Sequence, residues 1–302
     1  MKYSRHGALT ILVRTGLLML AASLHTAHAD SLVIENVGFA TPESVEYYQE
    51  EDIYIVSNIN GHPLDRDGNG FISTMSPSGE VLELEWLKSE SGQYTFHAPK
   101  GLAISGEYLY VADLGQVHVF KLPDGDYERS IPIEGTNVLN GTSPAPDDSV
   151  IVADTGYEKS GGNIAPTGTD AIYQVWPDGR YEAIARDDVM GNPNGVYYAS
   201  DEEILVVTFG SGELFRIDMK GERENLSKPP GGQLDGVEKL SDGRIIITGW
   251  EDKAVYELSA DGETYSTLID SIEGAADLGF DSKRNRLLVP ASHSDKVVIH
   301  DL

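Results

Sequence analysis

Short apolar runs that alternate with polar positions recur along most of the chain, separated by turns rich in Gly, Asp and Ser. Tyr108–Asp113 and Arg244–Thr248 are examples, and such alternation is typical of half-buried β-strands. Four Ser-Gly or Asp-Gly pairs, at residues 78–79, 124–125, 178–179 and 261–262, favour tight hairpins between the strands. No amphipathic helical window of useful length competes, so the pattern predicts an all-β protein.

The strand pattern repeats, and each repeat begins with a polar residue that leads into an apolar strand. The repeats begin at Glu43, Lys100, Asn140, Asn194, Asp235 and Asp277. Three of the five intervals are 40 to 42 residues long, which is the size of a four-stranded propeller blade. We therefore predict a six-bladed β-propeller over residues 30–302.

The last blade lacks one strand. Only three strands fit after Asp277, at about 277–281, 286–290 and 296–302. Leu32–Val37 precedes the first blade and belongs to none, so we expect it to supply the missing outer strand. Closure of the propeller by this N-terminal strand removes an exposed sheet edge.

Blades 1 and 3 are lengthened by two insertions, Asn58–Gly70 and Thr155–Asp170. Each insertion connects the second and third strands of its blade. Because the chain reverses direction at every strand, this connection lies on the same face as the start of the first strand. We expect both insertions to overhang the face that carries the six repeat-start residues, and long loops on one face usually mark the binding side.

Residues 1–29 have the features of a secretory signal peptide. Lys2 and Arg5 give a positive start, and residues 15–24 are apolar but too short to cross a bilayer. Ala27-His28-Ala29 matches a cleavage site, which predicts a mature chain that begins at Asp30 and is periplasmic or secreted. An uncleaved membrane anchor is the alternative. No later stretch is long and apolar enough to predict a transmembrane helix.

Charge and composition narrow the classes of function. Among 302 residues, 22 are Lys or Arg, 49 are Asp or Glu and none is Cys, so the net charge is -27. The missing Cys excludes thiol nucleophiles, Cys-ligated metals and disulfides. The acidity argues against nucleic acid and anionic lipid as partners and favours cations and neutral or cationic ligands.

The six repeat-start residues should converge, because the innermost strands of a propeller surround its axis. They comprise three carboxylates, two amides and one ammonium, and two of the carboxylates with the two amides form an all-oxygen set: Glu43, Asp235, Asn140 and Asn194. Such a set suits one divalent cation, with Ca²⁺ preferred and Mn²⁺ or Zn²⁺ as alternatives. Capping of strands and turns by Asn and Asp is the competing interpretation. It explains any single residue well, but not an oxygen ligand in the same register of four blades.

The motifs around these residues resemble the superfamily of regucalcin, gluconolactonase and luciferin-regenerating enzyme, six-bladed propellers related to paraoxonases and NHL-repeat proteins. The resemblance covers essentially the whole mature chain. Its motifs are Thr41-Pro-Glu-Ser-Val45, Leu139-Asn-Gly141, Asn192-Pro-Asn-Gly-Val196, Leu234-Asp-Gly-Val237 and Ala275-Ala-Asp-Leu278.

The resemblance implies that Glu43, Asn194 and Asp235 bind one divalent cation and that Asn140 lies beside metal and substrate. It further implies hydrolysis of a lactone or ester, in which the cation polarises the carbonyl and Asp235 activates water. Two features depart from the family: Gly141 replaces an Asp common in its hydrolases, and Lys100 adds a cation to the ring. Lys100 would orient an acidic substrate or pair with Asp277 or Glu43, and both Lys100 and Asp277 are candidates for substrate binding.

Three other features have weaker interpretations. Residues 65–73 match the first half of a calcium loop, but Ser76 occupies position 12, and we favour a polar turn over a second ion. Phe209 and Trp250 end second strands and either floor a pocket or pack in the core. Five histidines follow the signal segment, and each is a candidate base, although surface or strand-end positions are commoner: His62, His97, His118, His293 and His300.

Two functions therefore remain open. One is a metal-dependent hydrolase of small lactones or esters, resembling gluconolactonase. The other is a non-catalytic propeller that binds a ligand or an unspecified partner protein and uses the ion only to rigidify its centre, because fold alone does not decide function.

Overall fold

The computed structural model describes residue 1, residues 31–160 and residues 163–302. Within these residues the chain forms six four-stranded antiparallel sheets, arranged as the blades of a propeller. The predicted all-β, six-bladed fold is confirmed. Apart from Met1, the predicted signal peptide lies outside the described residues and stays a prediction.

The strands are numbered in chain order. The N-terminal strand and blade 1 comprise β1 (Ser31–Ile34), β2 (Pro42–Tyr48), β3 (Ile53–Asn58), β4 (Phe71–Met75) and β5 (Val81–Lys88). Blade 2 comprises β6 (Leu102–Ser105), β7 (Tyr108–Asp113), β8 (Gln116–Lys121) and β9 (Asp126–Pro132). Blade 3 comprises β10 (Leu139–Pro144), β11 (Val150–Asp154), the hairpin β12 (Tyr157–Ser160) and β13 (Asn163–Pro166), then β14 (Ala171–Val175) and β15 (Tyr181–Arg186).

The second half of the ring has the same plan. Blade 4 comprises β16 (Pro193–Ser200), β17 (Glu203–Thr208), β18 (Leu214–Ile217) and β19 (Arg223–Asn225). Blade 5 comprises β20 (Leu234–Lys239), β21 (Ile245–Gly249), β22 (Ala254–Leu258) and β23 (Tyr265–Ile269). Blade 6 comprises β24 (Gly279–Asp281), β25 (Arg286–Ala291), a short 3₁₀ helix (Ser292–Ser294) and β26 (Lys296–Asp301).

The N-terminal strand closes the ring as expected. β1 pairs antiparallel with β26, so that Leu32 is opposite Ile299 and Ile34 is opposite Val297. Blade 6 therefore has the order β1-β26-β25-β24, and its outer strand comes from the opposite end of the chain. This pairing covers the edge that β26 would otherwise expose.

The hydrophobic core lies between the faces of neighbouring blades. Alternate residues of each strand point into these layers, as the period of two requires. Between blades 2 and 3, for example, Tyr110, Val119 and Tyr173 are at most 1% exposed and belong to one cluster. Blades 6 and 1 are joined in the same way around Tyr54 and Leu288. In the described part of the chain, no helix is long and apolar enough to cross a membrane.

Candidate active site at the propeller centre

A cavity of about 340 Å³ opens at the centre of the face that carries the two insertions; we call it the upper cavity. Its floor consists of Glu43, Lys100, Asn140, Asn194 and Asp235. Five of the six residues predicted to converge therefore meet at one place. The insertions also reach the cavity, through Leu64 and the β12–β13 hairpin, as their position between second and third strands predicts.

A β-bulge presents the floor residue in four of the six blades. Glu43, Asn140, Asn194 and Asp235 are each the second residue of an inner strand, and the register with the next strand shifts at that point. A bulge re-aims the side chain it carries. In blade 5 the freed backbone N–H of Gly236 donates to Thr248 Oγ1 at 2.7 Å, so the distortion leaves this amide satisfied.

Close packing of the inner strands explains why four of the five floor residues precede glycine, whereas Glu43 precedes Ser44. A Cβ atom added to any of these glycines would lie closer than 3.0 Å to backbone atoms of the neighbouring blade, which real Cβ atoms do not tolerate. The glycines are Gly101, Gly141, Gly195 and Gly236. The polar-residue–Gly pairs of the sequence therefore mark this close approach.

Buried polar atoms without partners distinguish this floor from ordinary strand caps. Within the described residues, Asn140 Oδ1, Asn194 Oδ1 and Asp235 Oδ1 are inaccessible to solvent and accept no hydrogen bond. An unpaired buried polar group costs about 1–3 kcal/mol, so three on one floor call for a ligand. Capping by these three side chains would have engaged the same oxygens.

The oxygen ligands of the floor fit a hard cation, although only two of them are carboxylates. In the described part of the chain, no group of three or more His, Cys, Asp and Glu side chains is placed to hold a metal. A cation would therefore depend on amide oxygens as well as on Glu43 and Asp235. Oxygen ligands of both kinds are common around Ca²⁺.

Burial controls the protonation of the two floor carboxyls. It raises the pKa of Asp235 well above its usual range, and the carboxyls of Glu43 and Asp277 raise it further. Burial likewise raises the pKa of Glu43, while the Lys100 ammonium opposes that rise. A bound cation would favour the ionised form of both groups.

Lys100 is an unusual component of the floor. It is 1% exposed, and its Nζ has no hydrogen-bond partner among the described residues. Burial lowers the pKa of its ammonium, and the nearby carboxylates of Glu43, Asp113 and Asp235 counteract that shift. The floor therefore carries one positive group of its own.

The wall of the upper cavity is apolar. Tyr157 of the blade 3 insertion lies 6.4 Å from Phe209, and Phe209 lies 5.4 Å from Trp250, both edge to face. Phe209 and Trp250 were expected either to line a pocket or to pack in the core, and they line the cavity. Sequence reasoning missed Tyr157, Leu64 and Ile164 as lining residues, although all three belong to the predicted insertions.

The two insertions contact each other through an ion pair between Lys159 and Asp65. This pair lowers the pKa of the Asp65 carboxyl. Nearby, Asn69 donates to Asp67 Oδ2 at 3.0 Å, and Ser89 donates to the carbonyl of Gly68 at 2.9 Å. The segment that matches half a calcium loop thus has internal polar contacts, as expected of a polar turn.

None of the five candidate histidines lines the upper cavity. His118 is fully buried in blade 2, where its Nδ1 is 2.7 Å from Ser130 Oγ. His293 packs against Trp250 with ring centres 4.6 Å apart. His293 therefore contacts the cavity only through Trp250, and His118 lies away from it.

Asp277 does not line the upper cavity. Ser44 donates to its Oδ2 at 2.9 Å, and the residue faces a second, smaller cavity of about 180 Å³ at the other end of the central channel. We call this the lower cavity; its lining includes Glu46, Thr142 and Glu238. Asp277 precedes β24 by two residues, and the register of blade 6 shifts by one residue between Ala275, opposite Ala291, and Gly279, opposite Leu288, so Asp277 also lies on a bulge.

Comparison with known proteins supports the fold. No protein-family model and no curated protein matches the chain. Among solved structures, a proposed gluconolactonase superposes with a TM-score of 0.68 at 21% identity, covering 91% of this chain and 92% of the other. A gluconolactonase from Xanthomonas campestris gives a TM-score of 0.71 at 17% identity, with 91% and 89% covered.

A third structure, of catalytically inactive virginiamycin B lyase from Staphylococcus aureus, gives a TM-score of 0.59 at 13% identity, with 91% of this chain and 99% of the other covered. At these identities the similarity concerns the fold. The six-bladed propeller expected from the sequence motifs is confirmed.

Proposed function

We propose that this protein is a hydrolase of lactones or related esters that depends on one divalent cation, with Ca²⁺ as the first choice. The observation that supports this most strongly is the floor itself: three unpartnered buried oxygens, on Asn140, Asn194 and Asp235, lie beside the carboxylate of Glu43. The gluconolactonase-like neighbours supply the reaction class.

In this proposal Glu43, Asn194 and Asp235 hold the cation. When bound, the cation polarises the carbonyl of the substrate and supplies positive charge where negative charge develops. Asn140 has its amide nitrogen engaged with Thr155 Oγ1 at 3.2 Å, which leaves its oxygen directed to the floor for cation or substrate. Lys100 places an ammonium beside the same space and would orient an anionic group of the substrate or of the product acid.

Asp235 is the proposed general base. Its carboxylate would take a proton from water as the water oxygen attacks the carbonyl carbon. The C–O bond of the lactone or ester then breaks, and the proton passes to the leaving alkoxide, which yields a hydroxy acid or an acid and an alcohol. Burial raises the pKa of Asp235, and a bound cation would favour its ionised form, which is the form that accepts a proton.

The test combines hydrolysis with metal-dependent stability in the purified protein. We expect hydrolysis of members of a panel of aldonolactones and aryl esters, loss of it with EDTA, and recovery with Ca²⁺, Mn²⁺ or Zn²⁺. Saturating ion should also raise the melting temperature, since binding at a hundredfold excess over Kd stabilises by about 2.7 kcal/mol.

Two results would overturn parts of the proposal separately. A protein that holds no ion and melts identically with EDTA and with excess Ca²⁺ has no metal site. A protein that binds the ion but hydrolyses nothing in the panel is the non-catalytic propeller. The predicted signal peptide adds the proposal that this activity is periplasmic or extracellular.

A further inference from the structure

The proposed reaction uses the floor of the upper cavity and leaves the wall unexplained. The wall is formed by Leu64, Tyr157, Ile164, Phe209 and Trp250, all lining the same space of about 340 Å³. Three of these five belong to the insertions that lengthen blades 1 and 3. The wall is therefore a feature that the chain adds to the six-bladed plan.

Several polar groups next to this wall are already engaged within the protein, although the indole N–H of Trp250 is buried without a hydrogen-bond partner among the described residues. Thr155 is the clearest case: its hydroxyl accepts from Asn140, its carbonyl accepts from Asn192 at 2.9 Å, and its N–H donates to Val138 at 2.9 Å. Of the five wall side chains only Tyr157 and Trp250 carry a polar atom, so few partners are left along the wall for hydroxyl groups of a ligand. A buried hydroxyl without a hydrogen bond costs roughly 1–3 kcal/mol on the evidence of protein variants.

Ile164 shows that the apolar surface extends to the rim. It lies on β13 of the blade 3 insertion, lines the cavity and is 52% exposed. The ion pair between Lys159 and Asp65 joins this hairpin to the other insertion. An apolar group that enters along the hairpin would cover Ile164 while its reactive end reaches Asp235.

From this division of the cavity we propose that the substrate is a lactone or ester with an apolar body, such as an alkyl chain or an aromatic ring, and that polyhydroxylated sugar lactones are poor substrates. The inference rests on the proposed function, because it assigns the carbonyl to the floor. The wall would hold the apolar body in the ground state and the transition state alike. Its contribution should therefore appear mainly in KM and in kcat/KM.

The experiment uses a homologous series of γ-lactones: γ-butyrolactone, γ-hexalactone, γ-octalactone and γ-decalactone, with glucono-δ-lactone as the polar comparison. Burial of one methylene corresponds to about a fourfold gain in affinity. We expect kcat/KM to rise by about that factor per buried methylene until the wall is filled. Glucono-δ-lactone should fall below the longer alkyl lactones.

A matched pair of variants tests the wall. Ile164→Asn adds polarity at the rim and should lower the ratio of kcat/KM for γ-decalactone over γ-butyrolactone by about fivefold. Leu82→Asn is the control, because Leu82 also lies on a strand, is 49% exposed and does not line the cavity. Since both positions are exposed, both variants should fold, and only Ile164→Asn should change the ratio.

Binding of the matching γ-lactams, which resist hydrolysis, separates this inference from the proposed function. If no lactone is hydrolysed but lactam affinity rises with chain length, the apolar site stands and the hydrolase is overturned. If lactones are hydrolysed without dependence on chain length, or glucono-δ-lactone is preferred, the apolar site is overturned and the hydrolase stands. An equal effect of Ile164→Asn and Leu82→Asn would also overturn it.

Discussion

The two cavities of the central channel are lined by the same inner strands but contain different chemistry. On β10, Asn140 faces the upper cavity and Thr142 the lower one; on β20, Asp235 faces the upper cavity and Glu238 the lower one. The upper floor combines carboxylates and amides with the ammonium of Lys100. The lower cavity has three carboxyls, Glu46, Glu238 and Asp277, and no Lys, Arg or His in its lining.

Buried negative charge is therefore compensated differently at the two ends of the channel. Burial, with repulsion from Asp277, raises the pKa of Glu238 to about 8. Burial, opposed by the hydrogen bond from Ser44, also raises the pKa of Asp277, to about 7. Glu238 therefore keeps its proton at neutral pH and Asp277 keeps it in part. At the upper end, Lys100 offsets part of the charge, and a bound cation would offset the rest. Acidic residues at both ends therefore do not imply an ion at both ends.

Asp235→Asn and Asp277→Asn compare the two ends directly and give the largest expected difference. Asp235→Asn removes a charged ligand and the proposed base, so it should lower kcat/KM by at least about 100-fold and abolish the EDTA-dependent shift in melting temperature. Asp277→Asn should change both much less, because Asp277 lies at the lower cavity and acts on Asp235 only through electrostatic repulsion. Lactone hydrolysis and melting with EDTA or Ca²⁺ measure the two effects. Equal loss in both variants would contradict the division into two ends.

Lys100→Met removes the positive charge that distinguishes the upper floor. The ammonium repels a divalent ion, so the variant should bind Ca²⁺ more tightly, on the order of tenfold at a surface-like dielectric. In EDTA it should melt at a lower temperature, because Glu43 and Asp235 lose their counter-charge. Calorimetric titration with Ca²⁺ and melting in EDTA test the two parts.

Lys121→Met is the control for Lys100→Met, since Lys121 pairs with Glu107 on the exposed edge of blade 2. It should change neither Ca²⁺ affinity nor melting appreciably. Weaker Ca²⁺ binding in Lys100→Met would mean that Lys100 holds the floor in shape, and the electrostatic account would be wrong.

The sequence predicted the fold because the signals that set it are local and repeated. Strand alternation, the spacing of Glu43, Asn140, Asn194 and Asp235, and the unpaired strand near Leu32 each depend on a few neighbouring residues. Convergence of the first four then follows from the symmetry of a propeller. The position of Asp277 could not be read in this way, because blade 6 carries a similar bulge, and its carboxyl is held at the lower cavity by a hydrogen bond from Ser44 of the neighbouring blade.

The wall of the upper cavity was only partly predictable. Phe209 and Trp250 directly follow the regular strands β17 and β21, and their position on the binding face followed from strand direction. Tyr157 and Ile164 lie in an insertion whose hairpin, β12–β13, has no counterpart in the other blades. Its pairing, Glu158 with Ala165 and Lys159 with Ile164, depends on contacts across the cavity mouth that no repeat specifies.

The lower cavity gives the smallest effect, a dependence of stability on pH. The pKa of Glu238 is about 8 in the folded protein, against an ordinary value of 4.5. Between these two values the folded state holds a proton that the unfolded state has released. The contribution of this carboxyl to the free energy of unfolding is therefore fully present below about pH 4.5 and is lost as the pH rises towards 8.

Glu238→Gln mimics the protonated acid at every pH and so isolates this contribution. The measurement is urea unfolding in EDTA, where wild type should lose stability relative to Glu238→Gln between pH 5 and pH 9. The loss should stay below the limit of about 1.4 kcal/mol per pKa unit, because Glu238 is partly exposed. Glu83→Gln, at an exposed position on β5, should run parallel to wild type. If Glu238→Gln also runs parallel to wild type, the lower carboxyls are ionised in the folded protein. Something other than retained protons must then balance their charge, and the contrast between the two ends of the channel would disappear.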